Sequence, residues 1–140
     1  MVAPPVTGAD LVAAARALLG TRYRLHGRDP STGLDCLGLI AAALARCGHG
    51  IVLPGRYELR SSHPLEDEAY LAPAGLVRAD GREAAGDIEL LRVSPGQFHA
   101  AILTGRARDA IHAHAGLRRV VEAPLPSSWR SLERWRLPPS

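Results

Sequence analysis

Hydrophobic and polar positions change rhythm once along this chain. Up to about residue 48 the apolar residues recur at helical spacing; from residue 87 onward they gather into short runs of strand length. In TGADLVAAARALLG, residues 7–20, Leu11, Ala15, Leu18 and Leu19 mark one face of a first helix. Thr7 is its expected N-cap, Asp10 three residues on approximates a capping box, and Gly20 is the expected stop. TRYRLHGRDPSTGLD, rich in Gly, Pro and polar residues, reads as a loop. A second helix is predicted from Cys36 to Arg46 or Cys47 and ends at Gly48. Residues 49–64 read as irregular, and HPLEDEAYLAPAGL as holding a short helix broken near Pro73. Then GDIELLRV alternates at Ile88, Leu90 and partly Val93, FHAAILTG is apolar and strand-like, and DAIHAHAG and RRVVEA follow after turn signals. WRSLERWRLP is read as a helical turn followed by a strand, and the ends APP and LPPS as frayed.

Helices first and short strands with tight connections afterwards predict an α+β fold with an antiparallel sheet. The 140 residues suit one domain, with no repeat, linker or low-complexity segment. A hydrophobic share of 46% supports a packed interior. No apolar run approaches the roughly 20 residues a membrane helix needs. MVAPPVTGAD lacks the basic and apolar regions of a secretory signal, so synthesis in the cytoplasm is expected. All 17 basic residues are Arg, scattered along the chain, which argues against the concentrated positive face of a nucleic-acid binder.

Two cysteines are too few for a disulfide scaffold. On one helix they would stand about 16 Å apart at 1.5 Å per residue, beyond disulfide reach. Cys47, late in the helix, reads as packing. Cys36 stands where the helix begins, where unpaired N–H groups and a partial positive charge favour a thiolate. Position alone leaves it either a buried hydrophobe or a nucleophile. A nucleophilic Cys needs a base and the base an orienting partner. His99 lies on the first apolar strand; His112 and His114, two apart on the next, share a face. A His pair also raises a metal site, but no HExxH or CxxC spacing accompanies it, and no metal or cofactor is expected. His26, His49 and His63 fall in loops and read as solvated. Trp129 and Trp135 either close the core or anchor an interface.

Taken in order, GTRYRLHG, LDCLGLI, GDIELL, HAAILTG and AIHA resemble the NlpC-type cysteine peptidases of bacterial cell walls, a papain-like family, over about residues 10 to 122. The resemblance implies a papain-like α+β fold with the nucleophile at a helix start packed on the sheet. It makes Cys36 the nucleophile, His99 the base and His112 the residue that orients it, with Tyr23 and Asp35 at the substrate site. The implied substrate is the peptidoglycan stem peptide, often at the bond between D-γ-glutamate and a diamino acid. Leu37 replaces a frequent Ser, Ala101 a usual Gly, and His26 one glycine of the family's Tyr-Gly-Gly stretch; these departures bear on pocket shape. The GRDPSTGLDCLGL variant, the lack of a signal peptide and the short length look more like the peptidases encoded with phage tails and gene-transfer particles than like secreted enzymes of the family, which implies particle proteins as partners and delivery to the wall on a tail. The alternatives are a related thiol amidase or acyltransferase, and a structural tail component that has lost turnover.

Overall fold

The computed structural model describes residues 6–53 and 68–138. It begins with helix α1, Gly8–Arg16, whose cap is the expected one: Thr7 Oγ accepts from the Asp10 N–H at 3.1 Å and Asp10 accepts from the Thr7 N–H at 2.9 Å. Leu11, Ala15 and Leu18 are buried as expected, but Leu19 is 43% exposed. The helix ends at Arg16, and the turn that follows rotates Leu19 out of the helical stripe. The loop expected at 21–35 carries a hairpin of two-residue strands, β1 (Arg28–Asp29) and β2 (Gly33–Leu34). Such a pair is too short to leave a period in the sequence.

Helix α2 runs Cys36–Arg46 with Cys47 as its C-cap. Its Leu37, Leu39, Ile40, Ala43 and Leu44 are all buried. After the short α3, Glu68–Leu71, come β3 (Val77–Arg78), β4 (Ile88–Ser94), β5 (Gln97–Leu103), β6 (Asp109–His114), β7 (Arg119–Pro124) and β8 (Arg130–Arg136). The Pro73 break falls just after α3. Residues 1–5, 54–67 (with His63 among them) and 139–140 lie outside the described residues, so the expected fraying of APP and of the last two residues of LPPS falls there. Leu137, the first residue of LPPS, is not frayed but buried in the core, where the end of β8 carries it.

Six strands form one antiparallel sheet in the order β3-β8-β4-β5-β6-β7. The final stretch expected to open with a helical turn is strand from Arg130 to Arg136, because β8 is inserted between β3 and β4 and its backbone groups are taken up by both neighbours. Helices α1 and α2 pack on one face of the sheet against Ile88, Ala100, Ile102, Ile111, Ala113 and Trp135. On the other face Leu91, Ala101, Leu103, Ala110 and Leu125 form a smaller cluster, with Trp129 laid against it. Both faces of the central strands are therefore covered, and Ile88 to Leu91 are all buried rather than alternating. The two acids this buries are paired. Asp87 takes Arg136 at 2.7 and 2.9 Å, and Glu89 takes Arg108 at 2.8 Å and the Ser131 hydroxyl at 2.9 Å.

Candidate active site

The start of α2 is held by Asp35. This N-cap residue is fully buried, and its carboxylate accepts two backbone hydrogen bonds, from Gly38 at 2.8 Å within the helix and from His26 at 2.8 Å in the preceding loop. Helix and loop are pressed together backbone to backbone: a Cβ on Gly38 would stand 1.9 Å from the Gly27 carbonyl oxygen. Only glycine permits that approach. His26 supplies its N–H from a left-handed conformation, φ 60°, which costs a side-chain-bearing residue about 1–2 kcal/mol. Its side chain is exposed, as expected of a loop histidine.

Cys36 is the first residue of this helix and is fully buried. The Tyr23 phenol lies in its electrostatic neighbourhood. Burial chiefly, then charge on Cys36 and on Asp35, pushes Tyr23 up to about 12. The Tyr23 backbone is fixed by an N–H bond to the Arg118 carbonyl at 2.9 Å and by a bridge to Leu34. Three of the five sequence-derived site residues, Tyr23, Asp35 and Cys36, thus share one corner, built where the 21–35 segment folds back on the start of α2.

The other two meet on the sheet. His99 Nε2 and His112 Nδ1 are 2.8 Å apart, with ring centroids 5.0 Å apart and nearly perpendicular. The ladder explains the choice of partner. β5 and β6 are paired only at Ile102↔Ile111 and Leu103↔Ala110, and then part. Continued unbroken, that register would set His99 opposite His114; where the strands separate, His99 turns diagonally to His112 instead. His114 Nδ1 is engaged elsewhere, accepting the Leu117 N–H at 3.0 Å in the β6–β7 turn. By strand alternation both rings stand on the face that carries Ala101 and Ala110, while α2 packs on the opposite face across β5 and β6. Cys36 begins the helix that packs on both of these strands.

Burial first, then the His112 and His114 rings, pull His99 down to about 3, and burial with His114 pulls His112 to about 4. Both imidazoles are neutral at pH 7, the form in which one nitrogen donates and the other accepts. Trp129 was not singled out for this site by the sequence. Its ring lies edge-on to both histidines, 5.3 Å from His99 and 5.8 Å from His112. A tryptophan 17 positions beyond His112 carries no local sign of that contact. Trp135, by contrast, is buried in the helix-side core.

Cys47 is only half-buried, and its thiol donates to the Asp10 carbonyl at 3.6 Å. His49, expected to be solvated, bonds the Ala74 carbonyl through Nε2. Among the described residues no group of three His, Cys, Asp or Glu is placed to hold a metal ion, and no helix is long and apolar enough to cross a membrane.

Solved structures with this architecture include NlpC/p60 proteins. The NlpC/p60 domain of the peptidoglycan hydrolase SagA aligns at a TM-score of 0.53 with 26% identity, over 85% of this chain and 90% of that one. An NlpC/P60 family protein from Bacillus cereus aligns at 0.65 with 23% identity, over 97% of this chain and 42% of its own. The P60 domain of antigen MAP1204 from M. avium subspecies paratuberculosis gives 0.54 and 18% identity, over 93% of each chain. The chain therefore spans nearly all of the isolated domains and under half of the Bacillus protein. No family model and no curated protein sequence matches it.

Proposed function

We propose that the chain, an NlpC/p60-type domain by its fold, is a cysteine peptidase that hydrolyses an amide bond in peptidoglycan stem peptides. The observation that carries this reading is the His99–His112 pair on the two strands crossed by the helix that Cys36 begins. A hydrogen-bonded imidazole pair on those strands and a thiol at the helix start are the residue types of a thiol triad: nucleophile, base and orienter.

In this reading His99 donates its Nε2 proton to the His112 Nδ1 lone pair, which leaves the His99 Nδ1 lone pair for the thiol proton. Cys36 Sγ loses that proton to His99 and bonds to the scissile carbonyl carbon. The carbonyl oxygen becomes an oxyanion held by N–H groups at the start of α2. Collapse breaks the C–N bond, and His99 returns the proton to the departing amine. Water, deprotonated by His99, then attacks the thioester carbon, releasing the carboxylic acid and restoring the thiol. Asp35 fixes the helix start that sets the nucleophile, and Tyr23 forms one wall beside it. No step draws on a metal or cofactor.

The finer parts of the proposal are the D-γ-glutamyl–diamino acid bond and carriage on a tail-like particle, and both rest on the motif resemblance. The test is mass spectrometry of muropeptides after incubation with the wild type and with Cys36→Ala. Stem peptides shortened by the wild type alone support a peptidase and identify the bond. Transfer products in place of hydrolysis would make the protein an acyltransferase, and no change in either digest would leave the structural tail component as the better reading. Proteomics of purified particles from the source organism tests the carriage.

A further inference from the structure

We propose that Trp129 is a positioning residue of the site: its indole closes the outer side of the His99–His112 hydrogen bond, excluding water from it and holding both rings in the paired orientation. The inference rests on the reading above only for its kinetic consequence, since the contact itself is structural.

Both imidazoles meet the same indole edge-on, at interplanar angles of 71° and 86°, and each is nearly perpendicular to it. Edge-to-face contact is the favoured aromatic geometry and resists rotation of either ring. Trp129 comes from outside the two strands that carry the histidines. It ends the turn before β8, its N–H bonds the Pro126 carbonyl at 3.0 Å, and its ring rests on the outer cluster of Leu91, Ala101, Leu103, Ala110 and Leu125. The ring is thus anchored on a packed floor and laid across the histidines. The need for such a cover follows from the sheet. β5 and β6 part before reaching His99, so between these two strands the rings are joined by their side chains and not by a continuing ladder. A hydrogen bond between neutral imidazoles open to water would compete with solvent for both partners.

The groups facing the pair from each packed element are few. β6 presents His114, whose Nδ1 is taken by the Leu117 N–H. β4 places Leu91 opposite His99, with Arg92 one residue on lying over the Phe98 ring. β7 sets Val121 opposite His112, and the adjacent Glu122 is bound to Arg16. None of these is a carboxylate that would hold an imidazolium. Burial is the largest cause of the low imidazole values, and Trp129 contributes a wall of that burial.

The test is a titration of the imidazoles by NMR in wild type, Trp129→Ala and Trp129→Phe, which needs no substrate. Trp129→Ala should raise the His99 and His112 midpoints by about one pH unit or more, because water reaches both rings. Trp129→Phe, which keeps an aromatic edge, should hold them within about 0.3 units. In the wild type the shared imidazole proton should exchange slowly with water, a readout that stands even if Trp129→Ala does not fold. Where the wild type cleaves stem peptides, Trp129→Ala should lower kcat about tenfold with KM within about twofold, and its acid limb should move to higher pH. Unchanged midpoints in a folded Trp129→Ala, or a shared proton that exchanges at the solvent rate in the wild type, would overturn the proposal. Shifted midpoints in a protein that cleaves no stem peptide would sustain it and sink the peptidase reading instead.

Discussion

Cys36 and Cys47 terminate the same helix, and their surroundings are opposite in almost every respect. Cys36 opens α2 fully buried, beside Tyr23 and the capping carboxylate of Asp35, where helix and loop backbones touch. Cys47 closes α2 half-exposed, its thiol hydrogen bonded to the Asp10 carbonyl. Burial first, then the charge of Asp10, push the Cys47 thiol above its ordinary range, and Arg46 offsets this only in part. The helix field acts in the same sense, favouring a thiolate at the N-terminus and disfavouring it at the C-terminus. Beyond Cys47 the chain leaves through Gly48 into open space. One end of the helix is held by a close backbone contact and a buried cap. The other end only docks α2 against α1.

The largest effects should separate the two thiols. Cys36→Ala is expected to cut stem-peptide hydrolysis by at least about 10³-fold while the protein stays folded, and Cys47→Ala to keep activity within about twofold. Alkylation gives an independent reading, because exposure and activation point to different residues. If exposure governs, an electrophilic thiol reagent marks Cys47 first; if the helix start activates its thiol, Cys36 reacts first, and peptide mapping distinguishes them. A dead Cys47→Ala with an active Cys36→Ala would reverse the assignment.

Next in size comes the tight end of the helix itself. Gly38→Ala sets a methyl group against the Gly27 carbonyl oxygen, which is backbone and cannot turn aside. A loss of about 3 kcal/mol in denaturant unfolding is expected, with activity falling because Cys36 is displaced along with its helix. Equal stability of Gly38→Ala and wild type would mean that the helix start is looser than the structure shows.

The same logic separates His112 from His114, two residues apart on one strand. His112→Ala removes the partner of His99 and should lower kcat about 100-fold. His114→Ala removes an acceptor from the β6–β7 turn and a ring that neighbours His112 at 5.6 Å but is not hydrogen bonded to the pair, and should cost about 1 kcal/mol of stability with kcat within about threefold. The pair also sets an acid limit. Both histidines are depressed in the folded protein, so from about pH 6.5 downward the unfolded chain binds protons that the native state refuses, and stability falls as pH drops toward about 4 for His112 and about 3 for His99. His112→Ala should flatten the loss between about pH 6 and 4 in urea titrations. A slope unchanged from that of the wild type would assign the acid sensitivity to other groups.

These contrasts show which parts of the molecule the sequence reveals. The Thr7–Asp10 capping box, the bounds of α2 and the strand runs from Ile88 to Ala123 were readable because each is written in residues close together in the chain. The opening of β8 was not: it reads as a helical turn, and only the stretch after it as strand. SLERW is polar and mixed enough to pass for a helical turn, and its state is decided by β3 and β4, which lie some 40 to 60 positions earlier in the chain. At the site, residue types and order pointed to Cys36, His99 and a following histidine. Periodicity could not choose between His112 and His114, because that choice is made by where the β5–β6 ladder stops. Trp129 was invisible for the same reason: its contact with the pair exists only once the sheet has closed.

The smallest expected effect tests the two ends of α2 through backbone conformation alone. At the tight end His26 sits at φ 60°, a conformation strained for any residue with a Cβ, and its N–H is one of the two that the Asp35 carboxylate accepts. His26→Gly keeps that N–H and relieves the strain, at the cost of a more flexible unfolded chain. The balance should be a gain of at most about 1 kcal/mol. At the open end Gly48 sits at φ 76° with nothing within 4 Å of where a Cβ would stand, so Gly48→Ala meets no neighbour and pays only the backbone strain, about 1 kcal/mol. The two substitutions thus change stability in opposite directions by similar amounts. Their consequences for catalysis should differ in kind. Gly48→Ala leaves kcat unchanged because nothing at that end bears on the thiol. His26→Gly loosens the loop that carries the Asp35 bond, and is expected to lower kcat about two- to threefold even as the melting temperature rises. Denaturant unfolding and stem-peptide turnover measured on the same preparations decide it. A kcat loss in Gly48→Ala at unchanged fold, or a His26→Gly that is less stable than the wild type, would show that the two ends of the helix are not divided between precision and docking as the structure divides them.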